Sequence, residues 1–191
     1  LVLGAVVWAA RTTQAEAPAP EAPPYLPPLT DRVLPASAPG YDVSRLPPGV
    51  TIDPETLQLV GLDLTPEEGG AIAAWETLAS FEYVDGFDEL PEALADLDGQ
   101  TTTMAGFILP LYEYGDIKEF HLVGSHWSCC FGVPPGLSGW VSIELRPGAP
   151  GLPNTVDPIV VTGTFHVREQ KEAGYVVAIY AMDDATATVL R

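Results

Sequence analysis

Cys129 and Cys130 are adjacent, are the only cysteines of the chain, and close the run His126-Trp127-Ser128-Cys129-Cys130. Two thiolates and an imidazole suit zinc or Cu(I), so Cys129, Cys130 and His126 are candidate ligands for a transition metal. The two thiols are poorly placed to bridge each other. Neighbouring Cα atoms lie about 3.8 Å apart across a trans peptide, whereas a disulfide prefers roughly 4.4–6.8 Å. A vicinal bridge would be strained and easily reduced. Two other readings stand beside the metal: small buried packing residues at a crowded loop, or a redox-active or mixed-disulfide site. The spacing matches no four-ligand structural zinc site, which argues against a metal that holds the fold together. His121 and His166 are the remaining imidazoles. Each occupies an expected strand position opposite the Phe120/Leu122 and Phe165/Val167 faces, so both should point outward and not into a shared pocket.

The cysteines run into Phe131-Gly132-Val133-Pro134-Pro135-Gly136, a stretch that proline makes stiff. Trp127, Phe131, Pro134, Pro135 and Trp140 form a candidate binding loop, an aromatic and proline-walled surface next to reactive groups. The same residues also suit a rigid connection packed on the end of the domain. No catalytic signature accompanies them: GxSxG, HExxH, the P-loop and GxGxxG are all missing, and Ser138 sits in a turn-like Gly136-Leu137-Ser138-Gly139. No catalytic residue is assigned, and a non-enzymatic protein is the favoured reading.

The elements that must position these groups follow from composition and periodicity. The chain has 191 residues, with 8 Lys+Arg against 26 Asp+Glu and a net charge of −18. Such a chain repels phosphate backbones, so nucleic acid is not an expected partner. Residues 1–14, beginning LVLGAVVWAA, resemble a truncated signal or membrane-anchor segment. No apolar run is long enough to be a complete membrane helix, so a membrane would be reached only through that N-terminal anchor. Residues 15–48 carry ten of the 20 prolines and read as an extended Pro/Ala-rich linker. Residues 49–99 read as an acidic helical lead-in. Within it, Thr65-Pro66-Glu67-Glu68 looks like a capping box ahead of the apolar stripe Ile72, Trp75, Leu78 and Ala79. A second short helix should open at Pro91, cover Glu92–Leu97 and stop at Gly99.

After Gly99 the period shortens to that of strands. Thr101–Leu109, Lys118–Val123, Trp140–Leu145, Ile159–Val167 and Tyr175–Ala181 read as five strands separated by turns such as Arg146-Pro147-Gly148 and Glu172-Ala173-Gly174. Gly106 and Gly163 lie inside strands, where a missing side chain relieves crowding at a sharp bend. The expected class is mainly β: a small OB-like five-stranded antiparallel barrel over residues 100–191, preceded by one or two short helices. A β-sandwich is the alternative.

A family resemblance runs through the same region. Leu97-Asp98-Gly99-Gln100, Met104-Ala105-Gly106-Phe107-Ile108-Leu109-Pro110-Leu111, Glu119-Phe120-His121-Leu122-Val123, Cys129-Cys130-Phe131-Gly132-Val133-Pro134-Pro135 and Val160-Val161-Thr162-Gly163-Thr164-Phe165 together resemble the bacterial domain of unknown function 3299 family. The resemblance covers about residues 75–182. It implies an exported, envelope-associated protein (periplasmic, secreted or membrane-anchored), found in some cases near ABC-type transport systems connected with metal supply. Many members carry a Cys followed two residues later by a His. Cys130 matches the Cys, Gly132 stands at the His position, and Cys129 is an additional thiol, so Cys129 or His126 would have to replace the missing ligand. The combined expectation is an envelope binding or accessory protein that takes zinc or copper and serves a transporter or another envelope protein. A thiol-redox protein using Cys129/Cys130, and an interaction domain docking through the Pro-Pro loop, are the alternatives.

Overall fold

In the computed structural model, which describes residues 43–53, 58–111, 115–125 and 136–190, the shift of period after Gly99 is the start of a continuous sheet. Ahead of it lie an antiparallel pair, β1 (Thr51–Ile52) and β2 (Leu59–Val60), a short strand β3 (Ala71–Ile72), and two short helices, α1 (Trp75–Ala79) and α2 (Glu92–Ala95). The sheet then adds β4 (Thr101–Pro110), β5 (Glu119–Val123), β6 (Trp140–Leu145), β7 (Ile159–Glu172) and β8 (Tyr175–Val189). Its order is β3-β4-β5-β6-β8-β7, and β7 pairs with β4 as well, so five strands form a ring.

The ring closes because β4 changes partner along its length. Thr101–Gly106 pair with Thr164–Ile159 of β7, and Phe107–Pro110 pair with Val123–Phe120 of β5. The change falls at Gly106, where a Cβ atom would stand 2.5 Å from the Val123 carbonyl oxygen. Gly163 has a similar role. It sits at a register shift between β7 and β8, and a Cβ there would approach the Asp183 carbonyl oxygen to 2.8 Å. Both interior glycines therefore mark the crowded bends expected of them.

The expected class holds, a mainly β protein with a five-strand ring preceded by short helices. The expectation of an antiparallel ring is corrected at one seam: β6 and β8 run parallel, with Ser142 opposite Ala181 and Ile143 opposite Met182. The cause is the long β6–β7 connection, which carries the chain to the far side of β4 before β8 returns beside β6. β7 and β8 also run further than their apolar alternation suggested, to Glu172 and Val189. Their turn, Ala173-Gly174, has positive φ at both residues (49° and 89°), the two-residue geometry that matches strand twist.

Alternation along the strands sends Phe120, Leu122, Val141, Ile143, Ile159, Val161 and Phe165 inward, all 3% exposed or less. Leu78 of α1 and Leu94 of α2 join this core fully buried. Each buried leucine contributes about 1.5–3 kcal/mol. The Tyr180 hydroxyl donates to the Leu78 carbonyl at 3.0 Å, which fastens α1 to the ring, and burial pushes the phenol pKa upward.

The capping box does not start a helix. Gly69 adopts φ 78°, the Gly70 N–H closes a turn onto the Glu67 carbonyl, and Ala71–Ile72 pair in parallel with Thr102–Thr103. Helix α1 begins only at Trp75, without a side-chain cap. Strand pairing outcompetes the local helix signal there because β4 offers backbone partners that a short exposed helix lacks. Helix α2 opens after Pro91 as expected but ends at Ala95, short of the expected Leu97, and a turn leads on to Gly99 at φ 78°. Residues 43–48, at the end of the proline-rich stretch, are tied to the ring: Leu46 is buried, and Arg45 pairs with the buried carboxylate of Asp157.

Replacing Gly106 or Gly163 by Ala should destabilise the fold by about 1–3 kcal/mol through backbone displacement. Gly136→Ala, where the added methyl meets open space, should stay within about 0.5 kcal/mol. Urea unfolding midpoints test this. Equal effects at all three positions would mean that the bends do not constrain the ring.

Candidate functional site

Of the residues singled out for chemistry, Trp140 lies inside the described region. His126, Trp127, Cys129, Cys130, Phe131, Pro134 and Pro135 lie outside the described residues. The flanks of their segment are well defined. Val123 at the end of β5 pairs with Trp140 at the start of β6, so both flanks return to one point of the ring. On the first flank Gly124 lies under the Trp75 indole, where a Cβ would meet the ring at 2.8 Å, and Trp75 Nε1 donates to the Ala105 carbonyl at 2.8 Å. On the second, a 3-10 turn over Leu137–Gly139 packs Leu137 against the core, in agreement with the turn expected around Ser138.

Trp140 links this root to the outer face of the sheet. Its Nε1 donates to the Val177 carbonyl at 3.1 Å, and its ring stacks on His121 with centroids 5.8 Å apart and planes 28° apart. His121 stands opposite Ser142 in register, and the Ser142 hydroxyl shares a 3.2 Å hydrogen bond with His121 Nδ1. Burial lowers the His121 pKa below its ordinary value, with Glu172 opposing the shift. The imidazole is thus held towards its neutral form.

His121 and Ser142 belong to the wall of a cleft of about 390 Å³ between the outer face of β5–β6 and the β7–β8 hairpin. Glu119, Glu144, Glu172, Asp183 and Arg168 supply its charge. Arg168 Nη2 contacts Asp183 Oδ2 at 2.7 Å, and Glu119 stands directly opposite Glu144 across the two strands. His166 does not line the cleft. It sits on the outer surface between Asp183 (3.4 Å) and Asp98 (3.8 Å), so both histidines face away from the core as expected. Among the described residues no three His, Cys, Asp or Glu side chains gather closely enough to hold one metal ion. The cleft carboxylates escaped sequence reading because they are scattered from Glu119 to Asp183. The one signal that could have marked them is polar residues at outward strand positions.

With this geometry in view, comparison with known proteins gives one family. The family described as "Protein of unknown function (DUF3299)" matches residues 85–189, more than half of the chain. The chain belongs to the DUF3299 family. The match begins before α2 and takes in the whole ring, both flanks of the Cys129/Cys130 segment and every wall of the cleft. A crystal structure of a DUF3299 family protein from Pseudomonas aeruginosa PAO1 is similar to this chain at 23% identity and a TM-score of 0.46, over 64% of this chain and 97% of that one. None of the curated proteins matches.

The His121 environment has a measurable consequence. The folded state binds this proton less readily than the unfolded chain, so its contribution to stability is present at neutral pH and is lost as pH falls through about 6.5 towards the lowered folded value. Relative to His121→Asn, the unmodified protein should lose stability over that interval in pH-dependent thermal melts. A pH-independent difference would show that His121 titrates as a solvated imidazole.

Proposed function

We propose that this DUF3299 protein is a non-enzymatic binding or accessory protein of the bacterial cell envelope, and that Cys129, Cys130 and His126 bind zinc or copper on behalf of a transporter or other envelope partner. The supporting observation is the pairing of Val123 with Trp140, which returns both flanks of the segment bearing all three donors to one point of a closed, well-packed ring. Two thiolates and an imidazole suit a borderline or soft metal. A three-donor set also leaves a tetrahedral ion one open position, as exchange with a partner requires and as a structural zinc site does not provide. The apolar start of the chain and its proline-rich stretch support a domain held away from a membrane by a spacer. Among the described residues no helix is long and apolar enough to cross a membrane.

Metal content after anaerobic purification tests the reading. The unmodified protein should carry zinc or copper in a fixed ratio, and Cys129→Ala/Cys130→Ala should lose it with the fold intact by circular dichroism. Unchanged stoichiometry in the double variant would remove the metal site. A metal-free protein with one cysteine alkylated rapidly at neutral pH would point to thiol-redox chemistry. Partner co-purification that survives cysteine substitution would point to docking through Pro134 and Pro135.

A further inference from the structure

We infer that residues 43–48 are a latch on the ring, and that drawing them off opens the seam between β4 and β7. The inference uses none of the proposed metal ligands and does not depend on them. Leu46 is 8% exposed, and Arg45 forms an ion pair with Asp157, 112 positions further along the chain. The two ends of that pair differ in their access to water. The Arg45 side chain is 47% exposed, whereas that of Asp157 is 1% exposed. A guanidinium that lets go is rehydrated at once. The carboxylate is left buried without it, and a buried charge that loses its partner is strongly destabilising.

The chain around Asp157 decides what moves in response. The Asp157 N–H donates to Thr155 Oγ1 at 3.0 Å, and the next carbonyl, that of Pro158, accepts the Leu190 N–H at 2.8 Å. Ile159 then opens β7, opposite Gly106 of β4 and Val189 of β8. The carboxylate reaches water only if residues 155–159 shift, and their shift takes the first pairs of the β4–β7 seam with it. The far end of the seam is held separately. There the Phe165 N–H donates to the Gln100 carbonyl at 2.9 Å, and the Gly99 N–H to the Phe165 carbonyl at 2.7 Å. Release of the latch is therefore a local opening and not an unfolding of the ring. Gly106, the seam's last β4 residue, packs against the Val123 carbonyl at the root of the Cys129/Cys130 segment. A partner that bound the proline-rich stretch before Val43 and drew the latch away would loosen that root. Asp157 lies inside the family match of residues 85–189 and the latch outside it, so the device joins the ring to a stretch the match does not reach.

The test is hydrogen exchange of the whole chain, read segment by segment by mass spectrometry. Leu46→Ser weakens the latch without touching its charges. It should speed exchange over residues 103–107 and 158–162 by about tenfold or more, with residues 164–168 unchanged. Arg45→Gln, a change at a half-exposed side chain, should speed the same segments, which keeps the inference testable if Leu46→Ser misfolds. Asp157→Asn keeps the shape of the side chain and removes the charge. In that background Leu46→Ser should leave exchange over 103–107 and 158–162 at the level of Asp157→Asn alone, a non-additivity that mere loss of packing would not give. Equal acceleration by Leu46→Ser with and without the Asp157 charge would overturn the inference. So would acceleration spread evenly along β7, or seam exchange untouched by Arg45→Gln.

Discussion

Ring closure depends on one crowded contact, the approach of the β5 backbone to β4 at Gly106. There β4 gives up β7 and takes β5, and the Val123 carbonyl occupies the space in which any other residue would place its Cβ. Closure removes open sheet edges that would otherwise present unpaired N–H and carbonyl groups. It also encloses the apolar faces of β4 to β8 in one core, onto which α1 and α2 add Leu78 and Leu94. The same contact places the end of β5 beside the start of β6, and so locates the flanks of the Cys129/Cys130 segment.

Because the inner faces of the strands are filled with hydrocarbon, chemistry is confined to the connections and to the outer surface. The two candidate regions divide along that line. One belongs to the β5–β6 connection and uses soft donors close together in sequence. The other belongs to the outer face and uses hard carboxylates that the strands bring together. Trp140 stands between them, pairing with Val123 at the root of the connection and stacking on His121 in the wall of the cleft. A well-packed ring tolerates an unfavourable pair such as Glu119 opposite Glu144, since a local penalty at a surface is small beside the burial of a whole core.

The sequence by itself determined the elements whose information is local. Period-two alternation marked the strands, Ala173-Gly174 marked the hairpin turn, and Gly106 and Gly163 marked the bends, because each depends on the conformational freedom of a few consecutive residues. The outward direction of His121 and His166 was legible for the same reason. Only the tertiary structure decided that Ala71–Ile72 would join β4 instead of extending a helix from Thr65, and that β8 would run parallel to β6. It alone also placed Glu119 against Glu144 and put Glu172 and Asp183 in the same cleft. Those outcomes depend on which distant segments become neighbours, and that is settled by closing the ring around a shared core, where a pattern within one segment carries no record of its partner's register.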